Sequence, residues 1–183
     1  MVSRPADDQQ LAERARRGDA AAFEELVRRH QPIAFCTALV LTGSAADAED
    51  AAQEGFVKAW RALSRFRSGA PFRPWLLAIV ANEARTRRRA AGRREGWMAR
   101  AAAAAETDPA PDGPLATVLV RERAAELAGA LSALGERDRT VLALRYVLDL
   151  PEREIAAVLG CRPGTVKSRL SRALDRLREE VAA

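Results

Sequence analysis

Two helical periodicities separated by a glycine run through Pro151 to Arg178, PEREIAAVLGCRPGTVKSRLSRALDRLR, and few folds accept that order. Ile155, Ala156, Val158 and Leu159 predict a short first helix, Gly160 a tight turn, and Val166, Leu170, Leu174 and Leu177 a longer second helix with one apolar face. At about 100° per residue the opposite face of that helix carries Thr165, Ser168, Ser171 and Arg172, flanked by Lys167, Arg169 and Arg176. Between Arg162 and Arg178 six basic residues stand against one acid, Asp175. A hydroxyl-and-cation face backed by a packed stripe suits a helix lying in the DNA major groove, where the first turns meet base edges and the flanks meet phosphates. Any Arg-rich amphipathic helix has a solvated charged face, so charge alone does not decide the matter. The order of short helix, glycine turn and long helix does point to a helix-turn-helix. The motif leaves the task open, because regulators and recombinases alike use it.

The rest of the chain supplies the context. Its 183 residues, 48% hydrophobic and 30% charged, describe one domain or two small ones of ordinary globular composition. No apolar run approaches the roughly 18 to 20 residues of a spanning helix, and the start MVSRPADDQQ has no signal-peptide core, so a cytoplasmic protein without membrane insertion is expected. Charge is uneven. Residues 1 to 94 hold 17 basic and 11 acidic residues, 95 to 120 hold one and four, and 121 to 183 hold 12 and 10. Two basic ends around an acidic middle suggest two nucleic-acid contacts joined by a non-binding linker. With His30 the sole imidazole and Cys36 and Cys161 the sole thiols, neither a zinc ligand set nor a disulfide framework is assembled. Both cysteines lie in apolar helical contexts that predict buried, structural side chains.

Helical periodicity dominates from the beginning, and no strand is predicted. Leu11 to Arg16 predicts a short helix broken at Gly18, and Asp19 caps a longer one carrying Phe23, Leu26 and Val27. Pro32 is expected to kink or divide it before it continues through Ile33 to Leu41. Thr42-Gly43 ends that run, and Ser44 with Asp47 forms a capping-box-like start for a helix over about 45–63. Its expected apolar stripe is Ala52, Phe56, Ala59, Trp60 and Leu63. The helix dipole accounts for Asp47 and Glu49 in the first turns. It accounts less well for Asp50, Gln53 and Glu54 at i, i+3 and i+4, an acidic patch suited to a basic protein partner.

In Ser64 to Trp75, SRFRSGAPFRPW, three aromatics alternate with three arginines among Gly69, Pro71 and Pro74. Such a loop offers stacking faces for unpaired bases and cations for the backbone, though Phe66, Phe72 and Trp75 can equally anchor it into a core. A helix from Trp75 to about Arg94 places Leu76, Ile79 and Val80 inward. Arg85, Arg87, Arg88, Arg89, Arg93 and Arg94 exceed what a C-terminal cap requires and predict a phosphate-contacting stripe. Ala101 to Ala105 and the Pro-rich Thr107 to Pro114 predict a tether over 95–114. Beyond it, helices are expected over Leu115 to Leu131 and Glu136 to Val147, followed by the helix-turn-helix.

Taken together, DAEDAAQEGFVKAW (47–60), the FRSGAPFRPWL loop, the helix with IVANEA and, after the linker, LSALGERDRTVLALRYVLDLPEREIAAVLGCRPGTVKSRLSRALDRLR resemble an extracytoplasmic-function (ECF) type sigma factor of bacterial RNA polymerase, in the sigma-70 superfamily. The resemblance covers 10–94 and 120–179, with both blocks in the family's order. It implies an all-α protein of two small helical domains: 1–94, a region 2-like bundle that binds core polymerase and recognises the minus-ten element; a flexible linker, 95–114; and 115–183, a region 4-like helix-turn-helix domain for the minus-thirty-five element. It further implies that Asp50, Gln53 and Glu54 face the clamp helices of the largest core subunit, and that the second-largest subunit's flap is also a partner. Phe66, Arg67, Ser68, Gly69, Ala70 and Phe72 of the loop, with Asn82, would meet the minus-ten strand and capture a flipped base, while Arg85, Arg87 and Arg88 hold nearby phosphates. Thr165, Lys167, Ser168, Ser171 and Arg172 would read the upstream duplex, with Arg162 and Arg169 on its backbone. Members of the family are commonly held inactive by an anti-sigma protein, which the resemblance adds as a partner. It implies no catalytic residue, cofactor or metal.

Three positions depart from the family's pattern. Ala51 and Ala52 stand where larger aliphatics are usual, which predicts less buried area. Pro151 and Arg162 stand where Ser or Thr caps are frequent, and Pro151 and Pro163 are expected as first-turn prolines instead. Gly55 costs its helix about 1 kcal/mol against Ala unless a close approach to the partner requires it. Two other classes account for less of the chain. A helix-turn-helix regulator that does not bind polymerase explains 151–178 but gives the loop at 64–75 no role. A recombinase or nuclease lacks a Gly-rich phosphate loop, a GxSxG motif and a metal-ligand cluster.

Overall fold

The computed structural model describes residues 7–98, 129–131 and 133–182, and these form helices and turns with no strand among them. The elements are α1 (Asp8–Arg16), α2 (Ala20–Thr42), α3 (Ala45–Ala62) with a 3-10 turn at Leu63–Arg65, α4 (Phe72–Met98), α5 (Glu136–Leu142) running into a π-helical turn at Ala143–Val147, α6 (Glu152–Leu159) and α7 (Pro163–Ala182). The expected all-α fold is therefore present. The low-complexity run 101–105, the Pro-rich 107–114 and most of the helix expected at 115–131 lie outside the described residues.

Local chemistry sets the helix ends. Asp19 accepts the Ala22 N–H at 3.1 Å and Ser44 Oγ accepts the Asp47 N–H at 3.3 Å, each satisfying a donor that the first turn leaves free. Gly43 and Gly160 close α2 and α6 at φ 73° and 64°, a left-handed conformation that a side chain would strain. Some boundaries differ from expectation. Pro32 sits inside an undivided α2, since the neighbouring contacts outweigh the one backbone bond it forfeits. Phe72 opens α4 three residues early because Pro74 falls in the first turn, where its missing N–H costs nothing. That helix also runs past Gly96 to Met98, as one glycine costs an established helix only about 1 kcal/mol. Pro163 is a first-turn residue as expected, whereas Pro151 is the N-cap of α6.

Helices α2, α3 and α4 pack on one another, with α1 laid across α2. Leu26, Leu76, Leu77 and Val80 are fully buried among them. The face that α3 presents is nearly all small: Ala48, Ala51, Ala52, Gly55 and Ala59 are buried beside Phe56. These residues bury fewer methylenes than larger aliphatics, but they let the α4 backbone come close. A Cβ on Gly55 would stand 2.6 Å from Val80 Cγ2 and 3.2 Å from Val80 Cα. The close approach that requires Gly55 is thus internal, against α4, rather than with a partner. Trp60 leaves the expected stripe: it is 40% exposed and rests on Phe23, ring centroids 5.0 Å apart. Asp8 ties α1 to α2 through Arg29 at 3.1 Å and His30 at 2.8 Å, and the buried His30 ring lies against Phe72.

In the second half α5 and α6 pack on α7 around Val141, Leu144, Leu150, Ile155, Val158 and Val166, all fully buried. The two halves are more than tethered anchors, because α4 packs directly on α6. Arg73 of α4 lies 3.2 Å from Glu154 of α6, whose side chain is 4% exposed. Arg85 donates to the Val158 carbonyl, and Arg88 pairs with the Glu136 carboxylate. Burying a carboxylate is tolerable only beside a cation, so Arg73 and Glu154 specify how the halves meet.

Candidate nucleic-acid interface

The residues expected at a melted strand divide into three groups. Phe66 and Phe72 are 5% and 1% exposed and form a cluster with Trp75, ring centroids 4.8 to 5.9 Å apart. As buried anchors they present no open face to a base, which corrects their expected stacking role: the core takes their rings because burying an aromatic is worth more than exposing it in a loop. Arg67, Ser68 and Gly69 form the exposed tip that the cluster holds, Gly69 turning at φ 78°, with Ala70 half-buried behind it. Asn82 is exposed on α4, ten residues and hence about 15 Å further along the helix axis from Phe72. Its Oδ1 accepts from Arg85 at 3.0 Å, which leaves the amide N–H₂ directed to solvent chemistry such as a base edge.

Arg85, Arg87 and Arg88 are not a free stripe. Arg87 pairs with Asp50 of α3 at 2.7 Å, Arg88 with Glu136, and Arg85 is half-buried beneath α6. Burial, and secondarily the neighbouring Arg89 charge, holds the Arg85 guanidinium below its ordinary value. Residues assigned to DNA are thus taken up by contacts within the chain.

On α3 the acidic patch is exposed at Asp50 and Gln53 and half-buried at Glu54. Gln53 donates to Glu49 at 3.3 Å, so Glu49 joins the patch beyond its role at the helix dipole. Beside it, Val27, Gln31, Pro32, Phe35, Ala52 and Phe56 line a mostly apolar groove of about 620 Å³ between α2 and α3. An apolar groove rimmed by carboxylates and amides fits a partner helix with apolar and basic side chains.

Most of the residues expected on the outer face of the helix-turn-helix are exposed. Arg162 is exposed just before α7, and Lys167, Ser168, Ser171 and Arg172 are exposed on it while Val166 and Leu170 are buried beneath them, with Thr165 half-buried. Ser168 donates to the Thr165 carbonyl at 3.0 Å and Arg172 Nε to the Ser168 carbonyl at 3.1 Å, which orders this face of α7. Arg169 departs from the set: it points across to α4 and lines a cleft with Arg85 and Arg88. Cys36 and Cys161 are free and half-buried rather than fully buried.

Sequence reasoning missed three features. Arg73 and Glu154 pair between halves that nothing in the pattern brings together. Tyr146 and Val147, 61% and 76% exposed, form an apolar pair on the π-helical turn, where an α-helical period predicts otherwise. Arg89 and Arg137 join the interdomain cleft, and only the tertiary fold reveals it. Among the described residues no helix is long and apolar enough to cross a membrane.

A family profile described as Sigma-70 region 2 matches residues 26–94, and one described as Sigma-70, region 4 matches 124–177. The chain is 38% identical over 174 residues to the RNA polymerase sigma-H factor of Pseudomonas aeruginosa, covering 92% of this chain and 90% of that protein. It is 34% identical over 188 residues to the ECF RNA polymerase sigma-E factor of Escherichia coli K12, covering 98% and 97%. Its fold aligns with the sigma factor RpoE of Bartonella quintana, solved with the anti-sigma factor NepR, at a TM-score of 0.61 and 28% identity over 88% of this chain and 97% of that one.

Proposed function

We propose the following division of labour for a chain that belongs to the extracytoplasmic-function branch of the sigma-70 family of RNA polymerase sigma factors. The chain directs core RNA polymerase to specific promoters. Both family regions match in order along one chain, and this observation carries the function.

Exposed Asp50, Gln53 and Glu49, with Glu54 and the adjoining groove, receive the clamp helices of the largest subunit, whose basic and apolar side chains complement them. Tyr146 and Val147 supply an apolar contact suited to the flap of the second-largest subunit. Arg67, Ser68 and Gly69 at the loop tip and Asn82 on α4 meet the minus-ten strand, with Phe66 and Phe72 holding the loop from within. Arg85, Arg87 and Arg88 serve phosphates once their internal partners release them. Thr165, Lys167, Ser168, Ser171 and Arg172 read the minus-thirty-five duplex. An anti-sigma protein is a further partner, supported by the likeness to a sigma factor solved in such a complex. The protein acts without catalysis of its own, in the cytoplasm where polymerase works.

Run-off transcription with core polymerase tests the whole reading: a cognate promoter ignored by core alone is transcribed when this protein is added. Failure to co-purify with core, combined with tight specific duplex binding by the free protein, would instead identify a polymerase-independent regulator. Asp50→Lys and Glu54→Lys are expected to weaken core binding at least tenfold while lowering the unfolding midpoint only slightly, since Asp50 forfeits one exposed pair with Arg87 and Glu54 is half-buried at the surface. Unchanged affinity removes them from the interface.

A further inference from the structure

The interface between the halves encloses a cleft of about 660 Å³ whose lining charge is lopsided. Arg85, Arg88 and Arg89 enter it from α4, Arg137 from α5 and Arg169 from α7, against a single carboxylate among the described residues, Glu136. That carboxylate is already paired with Arg88. Arg89, Arg137 and Arg169 have no carboxylate partner among the described residues. Five guanidinium groups from three helices therefore converge with four net positive charges, an arrangement that costs Coulomb energy unless an anion enters. The lowered protonation tendency of Arg85, caused by burial and by Arg89, is an independent sign of the same crowding.

We infer that this cleft is a binding site for a small oligophosphate, which bridges the two halves of the chain. The volume lies within the roughly 300 to 1,000 Å³ typical of ligand sites. Guanidinium forks match phosphate oxygens two at a time, and a run of phosphates distributes three or four charges across the five cations. Among the described residues no aromatic ring lines the cleft, so recognition rests on phosphate and not on a base. Few apolar side chains line it, which disfavours an acidic peptide that must bury its own side chains. A duplex is too wide to enter while α4 and α6 remain in contact. A bound oligophosphate occupies Arg85, Arg88 and Arg169 together and so holds the compact form against promoter DNA.

The test is calorimetric titration of the full chain with inorganic tripolyphosphate at about 150 mM salt, where weak surface attraction is screened. One saturable site is expected, with ATP binding comparably, monophosphate at least tenfold more weakly and adenosine not at all. Arg89→Ala and Arg137→Ala lie on opposite walls, and neither is needed for the proposed promoter contacts. Each is expected to weaken tripolyphosphate about tenfold, the value of one lost charge-assisted bond. Arg153→Ala, which removes an equal charge from the exposed side of α6, is expected to leave affinity unchanged. Circular dichroism confirms that each variant is folded. Absence of saturable binding overturns the inference, as does equal weakening by Arg153→Ala, which would reduce the effect to net charge. A single-stranded oligonucleotide of equal phosphate number that binds as tightly and loses as much in both wall variants also overturns it, since the cleft would then be part of the nucleic-acid surface. Polymerase and promoter are absent from this experiment, so its failure leaves the sigma-factor function untouched.

Discussion

At Gly55 the added Cβ of an alanine would stand 2.6 Å from Val80 Cγ2, inside any van der Waals contact. The helix itself favours Ala over Gly by about 1 kcal/mol, but overpacking a rigid contact costs about 1 to 3 kcal/mol, and the nearby Val80 backbone limits relaxation. Gly55→Ala is therefore expected to destabilise the fold by about 1 kcal/mol, read from the urea midpoint. Adding Val80→Ala in that background is expected to cost less than the same change alone, the signature of direct contact. Glu25 gives a second residue-scale test. Hydrogen bonds from Arg28, then Arg29, hold its carboxyl down from 4.5 to about 2. A depressed carboxylate contributes stability that is complete above its unfolded value and lost as pH falls from about 4.5 toward about 2. Carboxyl chemical shifts in Arg28→Ala are expected to move the midpoint back toward the ordinary range, with little change in stability at neutral pH because the pair is exposed. A midpoint that stays near 2 would assign the shift to Arg29.

At the scale of elements, what was legible followed from local rules. Asp19, Ser44, Gly43 and Gly160 mark helix ends by chemistry that acts within four residues, and the apolar face of α7 follows from its period. What was illegible depended on partners far along the chain. Phe66 and Phe72 offer the same alternation whether they face bases or a core, and His30 and Trp75 decide it. Gly55 reads as a weakness until Val80 is placed against it. Arg169 shares its sequence context with Lys167 and Arg172, yet faces α4. This difference is testable on α7: Arg172→Ala is expected to lose about 1 to 3 kcal/mol at one promoter position, measured by transcription from single-base variants. Arg169→Ala is expected to weaken all promoters alike. An Arg172→Ala loss that is equal on every promoter makes that residue a phosphate contact.

The whole molecule is closed across α4 and α6, and that geometry conflicts with simultaneous promoter contact. Elements ten and thirty-five positions upstream lie about 85 Å apart on duplex DNA, at about 3.4 Å per base pair. On the proposed division of labour the packed halves cannot reach both, so the chain has to open, and Arg73 with Glu154 sets what opening requires. Removing Arg73 leaves a carboxylate that is 4% exposed beside no cation, a penalty of about 3 to 5 kcal/mol if the halves stay together. Separating α6 from α4 hydrates the carboxylate and avoids most of it. Arg73→Ala is therefore expected to enlarge the radius of gyration in solution scattering and to raise promoter affinity in the presence of core. Replacing both partners, Arg73→Met with Glu154→Leu, removes the buried charge and fills the space with apolar side chains, a change that is commonly neutral or stabilising. The double variant should remain compact while the single variant opens, a contrast that loss of side-chain volume cannot produce. If both scatter like the unmodified protein, the pair does not hold the halves together, and the rest of the packing between α4 and α6 must do so.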